Sequence, residues 1–362
     1  MWSIFFALPN ISVKYQIGND WLAIVPHDDD RITQAMSKDP YTKALVNKFT
    51  DQFGRKVYPS FLIFSDNIPD RLRDIEALIG FRNTFALSVI IKGHEHSLTS
   101  TFVAYPLYSD YFDFYPIAVT KDNDGFLTQS PSVLGYDDEY NKFAGQTSPS
   151  LAGMRSVSVG LDDQLFKLLI RIWERRFLKG RINEWSTRSL FRSLEMAYHA
   201  STMPYKNHST IYDYGSSVSL WVSAFEILSH PRRGNASLSS VLNLLGSYDW
   251  NNNVLKRKVY TVRYHGKNHK VTLTEKLYKE LYDTRNDFLH GNPVKANRLF
   301  PFKNKNLPAL IKFAPLLYKV ALLCFLDKFK SKHRSKKANL KELTSKIFGE
   351  RGLSDALLKA KQ

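Results

Sequence analysis

The stretch LYDTRNDFLHGNP, Leu281–Pro293, closes one helical pattern and stands before another. Residues Glu275–His290 keep a helical spacing of apolar positions, and Gly291 and Pro293 supply the stop. Just upstream, VYTVRY and KVTLT flank His265-Gly266-Lys267-Asn268, the pattern of a β-hairpin. Downstream, Leu307–Phe329 reads as a long apolar helix; its Lys312, Pro315, Lys319 and Asp327 make it too polar for a membrane span. Further upstream, Leu165, Phe166, Leu169, Ile172, Trp173 and Phe177 form one stripe of a helix over Leu161–Leu178. Thr187–Ala200, Ser217–Ser229 and Ser237–Leu245 are helical by the same periodicity. The region after residue 160 therefore predicts a bundle of about five helices with a hairpin inserted before the penultimate one.

The first 150 residues follow a different rhythm. Trp21–Val25, Phe61–Phe64, Phe85–Ile91, Thr101–Tyr105 and Tyr115–Val119 are short runs rich in β-branched and aromatic residues, bounded by turn formers, and are read as strands. The opening MWSIFFALPN is also read as a strand, since it lacks the features of a leader peptide. Asp70–Phe81 and Lys38–Asp51 are helix candidates. Residues 141–160 are rich in Ser and Gly and make the best boundary. The expected fold class is α+β. A mixed α/β N-terminal domain (1–150) precedes an all-α helical bundle with an inserted β-hairpin (160–335), and a basic C-terminal tail (336–362) follows.

The charge divides at the same place. Residues 1–150 hold 13 Lys and Arg against 18 Asp and Glu, whereas residues 151–362 hold 38 against 16. The whole chain, at +17, calls for a polyanionic partner, and the second part is the one to hold it. The single cysteine, Cys324, excludes an intrachain disulfide; it lies in an apolar run and fits a core position in a reducing, cytoplasmic setting. No membrane partner is expected.

Within the opening stretch, Arg285 and His290 are separated by four residues, with Asn286 next to the arginine, Tyr282 before it and Gly291 after the histidine. This resembles the HEPN superfamily, whose hallmark is an arginine, usually followed by a polar residue, and a histidine after four to six residues. The wording is most similar to the Apea-like branch, where a tyrosine and "RN" precede the histidine and a glycine follows it. The resemblance covers about residues 160–330. Two other pairs, Arg192/His199 and Arg263/His269, have a permitted spacing but lack the adjacent asparagine. The resemblance implies a HEPN-like bundle, a homodimer that joins two motifs in one composite site, and RNA cleavage to a 2′,3′-cyclic phosphate and a 5′-OH.

These residue types suit that chemistry. RNA is cleaved without metal when its own 2′-OH attacks the adjacent phosphate. Histidine supplies a proton acceptor and donor near neutrality. Arginine supplies a fixed bidentate charge for the phosphorane oxyanions. Asn286 would orient the histidine or the phosphate. At 100° per residue, Arg285 and His290 lie about 140° apart on an ideal helix, whereas Asn286 and His290 share a face. The competing reading is a helix-capping histidine with Arg285 bound to Asp283 or Asp287. Glu226, inside the apolar run WVSAFEIL, either supports the site beside Arg285 or His290 or faces outward. Tyr282 is a second supporting candidate.

Candidate backbone contacts to RNA are Arg171, Arg175, Arg176 and Lys179 on one helix face, the pair Arg232/Arg233, and Lys332 and Arg334 of the 330–337 cluster. A solvated charged face is the alternative for each. Tyr282, Phe302 and Tyr318 are weighed as base-stacking groups against core packing. His94-Glu95-His96 is read as a hairpin tip, His27-Asp28-Asp29-Asp30 as a polar loop, and Asp122-Asn123-Asp124-Gly125 as a turn lacking the EF-hand ligands. No metal and no cofactor are expected. The sequence thus points to a metal-independent endoribonuclease, with a toxin or antiphage defence role implied by the resemblance. The N-terminal domain would receive a protein or ligand trigger. The alternative is a non-catalytic nucleic-acid-binding or nucleotide-sensing module.

Overall fold

A computed structural model describes residues 2–8, 11–38, 40–47, 56, 58–99, 115–116, 126–129, 134–137, 157–158, 161–179, 184–203, 210–330 and 340–361. The chain forms two compact units, one from residues 1–74 and 106–159, the other from 75–105 and 160–362.

The first unit is built on a five-stranded sheet. Its strands are β1 (Trp2–Leu8), β3 (Ile17–Gly18), β4 (Leu22–Val25), β5 (Ser60–Ser65) and β6 (Tyr115–Pro116), in the order β3-β4-β5-β1-β6, all pairs antiparallel. Short strands β2 (Ile11–Ser12) and β9 (Val157–Ser158) pair in parallel, and β7 (Phe126–Gln129) pairs with β8 (Leu134–Asp137). Ala23 and Val25, with Phe61 and Ile63, present alternate residues to one face, where Ile32 of helix α1 (Asp30–Lys38) completes a buried cluster. The intervening Leu22, Ile24 and Leu62 are also fully buried, so these strands show no polar alternation in sequence. Helix α2 (Pro40–Val46) restarts at a proline suited to a first helical position, which divides the helix expected over 38–51. The short α3 (Asp70–Arg73) stops at Asp74, which is extended (ψ 136°), so the helix expected over 70–81 is broken at the point where the chain leaves this unit.

The second unit is helical. Its helices are α4 (Ile75–Thr99), α5 (Asp163–Trp173, continued by a π-helical turn over Glu174–Leu178), α6 (Trp185–Thr202), α7 (Ile211–Ser229), α8 (Leu238–Gly246) and α9 (Asn253–Lys256). The strands β10 (Tyr260–Tyr264) and β11 (Lys267–Val271) form a ribbon before α10 (Leu273–Leu289), α11 (Ala314–Lys330) and α12 (Leu340–Leu358). The fold class is α+β. Among the described residues no helix is long and apolar enough to cross a membrane. Cys324 is buried on α11.

Three expectations need correction. The run Phe85–Ile91 is not a strand but the middle of α4, a helix buried on nearly every side against α5, α6, α11 and α12. A fully apolar run has no period by which to tell strand from buried helix. Its embedded Thr84 and Ser88 hydroxyls donate back to the Gly80 and Thr84 carbonyls at 2.8 and 2.7 Å, so they add no unpaired polar group. As a consequence residues 75–105 belong with the helices, and 1–150 is not one domain. His94 and His96 lie on this helix rather than at a hairpin tip, and desolvation lowers the His94 imidazole to about 4. Finally, the 336–362 segment is not a tail over its described part. Leu353, Ala356, Leu357 and Ala360 of α12 and its end are fully buried, and the Glu350 carboxylate accepts from the Asn251 and Asn252 backbone amides.

The remaining expected helices of the second unit are present with shifted ends, and the hairpin turn is tighter than expected. Tyr264 pairs with Lys267, leaving only His265 and Gly266 at the turn, both with positive φ (48° and 74°), the signature of a type I′ turn. The strand expected at Thr101–Tyr105, most of Tyr115–Val119 and the Asp122–Gly125 turn lie outside the described residues. In the polar loop, Asp29 is held by Arg31 at 2.8 Å. Among the described residues no cluster of ligand types suits a metal ion.

Candidate functional site

Helix α10 is fixed at both ends by its own sequence. At the start, Thr272 and Glu275 form a reciprocal capping box; the Thr272 amide donates to the Glu275 carboxylate at 2.8 Å. At the end, the Gly291 amide donates to the Phe288 carbonyl and the Asn292 amide to the Asp287 carbonyl. With Gly291 at φ 68°, this pair of bonds is a Schellman stop. It places His290 at the C-cap, where its backbone amide donates to the Asn286 carbonyl at 3.0 Å and its side chain is exposed.

The arginine is held from outside the helix. Arg285 Nη2 lies 3.6 Å from Glu226 Oε2 of α7, with the two side chains 23% and 20% exposed. Arg285 Nη1 donates to Asn286 Oδ1 at 3.4 Å, and its guanidinium stands 5.9 Å from the Tyr282 ring centre. The structure therefore brings Glu226, Tyr282, Arg285 and Asn286 together, with His290 one turn beyond Asn286. Burial raises the Glu226 carboxyl above the usual carboxylate range, and the Arg285 charge opposes that shift. Behind the pair, burial holds the Tyr278 hydroxyl well above its ordinary value, and Glu226 adds to the shift. Tyr278 Oη and Arg285 Nε are buried and make no hydrogen bond within the described residues.

The local carboxylates are already occupied. Asp287 accepts from Arg298 Nε at 3.0 Å, and Asp283 pairs with Lys279. That arrangement leaves Arg285 to Glu226 rather than to Asp283 or Asp287. Phe288, on the inward side of α10, meets Gly215 of α7 so closely that a β-carbon there would lie 2.5 Å from its ring. This close approach seats the helix end against α7. Tyr278 escaped the sequence reading, although it precedes Arg285 by seven residues, two helical turns.

The proposed RNA contacts separate by burial. Arg171 and Lys179 are exposed, as are Arg232 and Arg233. Arg175 is paired with Glu184 at 2.9 Å. Arg176 is a correction: it is 6% exposed, bonded to Glu76 at 3.2 Å and laid over the Phe177 ring. Its position, three residues after Trp173 and seven after Leu169, already lies on the apolar stripe of the helix. Lys332 and Arg334 lie outside the described residues. Tyr318 is fully buried and shares a 2.6 Å hydrogen bond with Ser193, so it stacks on no base; Phe302 is exposed. On the other side of α10, Lys276, Glu280 and Asp283 line a cleft of about 390 Å³ against the Arg298–Lys303 segment.

Comparison with family models, with curated proteins and with solved structures finds no match.

Proposed function

We propose that this chain is a cytoplasmic, metal-independent endoribonuclease of HEPN type, homodimeric, with Arg285, Asn286 and His290 as its catalytic residues. The observation that carries the reading is the Glu226–Arg285 pair, which fixes a cation one turn from an exposed histidine on a sharply ended helix. In the reaction the 2′-OH loses its proton to His290 as it attacks the adjacent phosphorus. Arg285 neutralises the oxyanions that develop, and the bond to the 5′ oxygen breaks. A protonated imidazole, His290 of the partner subunit, delivers the proton to that leaving oxygen. The products are a 2′,3′-cyclic phosphate and a 5′-OH. Asn286 orients the phosphate, and Tyr282 flanks Arg285. Arg171, Lys179, Arg232 and Arg233 contact the RNA backbone. A toxin or defence role, with the first unit receiving the trigger, completes the reading.

The non-catalytic alternative draws support from the same pair, because Glu226 already neutralises much of Arg285. Incubation with total RNA in EDTA separates the two. The nuclease yields cyclic-phosphate ends in EDTA and loses them in His290→Ala, whereas a binding module retains RNA uncut in both. Because a regulated effector is silent before its trigger, growth arrest on expression, relieved by Arg285→Ala or His290→Ala, is the companion measurement.

A further inference from the structure

Between Asn251 and Thr274 the chain carries six Lys and Arg and no Asp or Glu. Lys256 pairs with Asp249 at 3.0 Å. The other five, Arg257, Lys258, Arg263, Lys267 and Lys270, are exposed, and none makes an ion pair among the described residues. They run along the β10–β11 ribbon and its approach.

The ribbon has one anchored face and one bare face. Val262 and Val271 are buried, and Tyr264 stacks on His269 with ring centres 3.8 Å apart. The register pairs Thr261 with Lys270 and Arg263 with Asn268, so these four share the opposite, exposed face. Each strand thus puts one cation on that face, Arg263 on β10 and Lys270 on β11, and Lys267 stands exposed beside the turn. At the ribbon's base, Tyr260 stacks on Phe302 at 5.5 Å and 26°. Phe302 and Lys303 both have left-handed backbones (φ 54° and 59°), which non-glycine residues seldom adopt. The Phe302 amide donates to Glu280 at 2.9 Å and holds this turn against α10. The turn thereby keeps Phe302, an aromatic ring, at the surface beside the cations.

A row of unpaired cations beside an aromatic platform is what a single-stranded nucleic acid needs, charge for its phosphates and a ring face for a base. We infer that the β10–β11 ribbon and the Tyr260–Phe302 platform hold single-stranded RNA, with Arg257, Lys258, Arg263, Lys267 and Lys270 on its phosphates and Phe302 against a base. The choice of RNA rests on the proposed function. The ribbon leads directly into the start of α10, whose 17 residues span about 25 Å, so a strand held here must run about that length to reach His290 at the far end.

The test is fluorescence anisotropy of the full chain with a labelled 20-nucleotide 2′-O-methyl oligouridylate, which 2′-OH chemistry does not cleave. Arg263→Ala/Lys267→Ala/Lys270→Ala should weaken binding at least tenfold at low salt. It should also flatten the dependence of log K on log salt by about 0.7 per lost contact, about two in all. Lys14→Ala/Lys38→Ala, on the first unit, should change neither. Phe302→Leu, with its melting curve checked, should weaken binding about fivefold or more while keeping the wild-type salt slope.

Wild-type affinity and slope in the triple variant overturn the inference. In that case the cations only guard the open ribbon edges, and the variant instead aggregates. Ribbon-dependent binding that is tighter to duplex DNA than to the single strand overturns it as well. The two readings fail separately. Cleavage that depends on His290 with no binding loss in the triple variant sinks the ribbon alone. Binding loss in the triple variant without cleavage under any condition sinks the nuclease alone.

Discussion

Two ion-pair clusters in the helical unit use the same chemistry in opposite surroundings. Lys319 of α11 lies 2.7 Å from Asp162 and 3.8 Å from Glu95 of α4, and the three residues are 5%, 8% and 3% exposed. Asp162 also caps α5 by accepting from the Leu165 amide at 3.0 Å. The group ties α4, α5 and α11 together and offers nothing to a ligand. Arg285 and Glu226 join α7 and α10 at 3.6 Å and stay one-fifth exposed. Burial therefore separates the roles: a fully enclosed charge can only hold the fold, whereas a partly exposed one keeps donors for a phosphate.

Breaking the first cluster should give the largest change. Lys319→Ala leaves the buried Asp162 carboxylate without its cation, while Glu95 keeps Lys92 at 3.3 Å, and should cost about 3–5 kcal/mol of stability by urea unfolding. A loss below about 1 kcal/mol would mean that solvent reaches this cluster, and the contrast would collapse. Breaking the second cluster should spare the fold and hit the activity. His290→Ala should lower the cleavage rate about 10²–10⁴-fold while its unfolding midpoint stays near wild type. Arg285→Lys, which keeps the charge but not the planar fork, should also lose most of the rate.

A smaller effect is expected where α7 supports the helix end. Gly215→Ala drives a methyl group into the Phe288 ring and should destabilise by about 1–3 kcal/mol, with cleavage falling in parallel. Unchanged stability would place no demand on this close approach.

The smallest effect sharpens the electrostatics. Burial raises Glu226 above its ordinary value of 4.5. The folded chain then binds that proton more tightly than the unfolded one. The stability it contributes is complete below pH 4.5 and is lost as pH rises through the raised value. Glu226→Gln removes this slope, so between pH 4 and pH 8 it should lose less stability than wild type. Equal losses in urea titrations at the two pH values would show Glu226 to be solvated like a surface carboxylate.

The candidate site was legible in unequal parts. Arg285, Asn286 and His290 stand in one short stretch with their own helix stop, so their local arrangement follows from contacts within six residues. The Glu226 partnership joins residues 59 positions apart, and the sequence offered it only as one of two readings. Arg176 differs from its neighbour Arg175 in lying on the apolar stripe, three residues after Trp173 and seven after Leu169, where it is buried over the Phe177 and Phe191 rings. The basic ribbon is legible as an acid-free run, but the sequence carries no sign that its cations stay unpaired.

The sequence by itself determined the stop of α10, the presence of the ribbon before it and the charge division. Caps, positive-φ turns and net charge depend on neighbours or on simple sums, and no distant packing is needed to set them. Only the tertiary structure decided that Phe85–Ile91 is helix and that residues 75–99 belong to the helical unit. It also decided which cations are enclosed and which face water. An all-apolar run satisfies strand and buried helix equally, and a charged side chain on an apolar stripe can be enclosed with a partner or extend to water. Both questions are answered by which surfaces meet when distant segments pack.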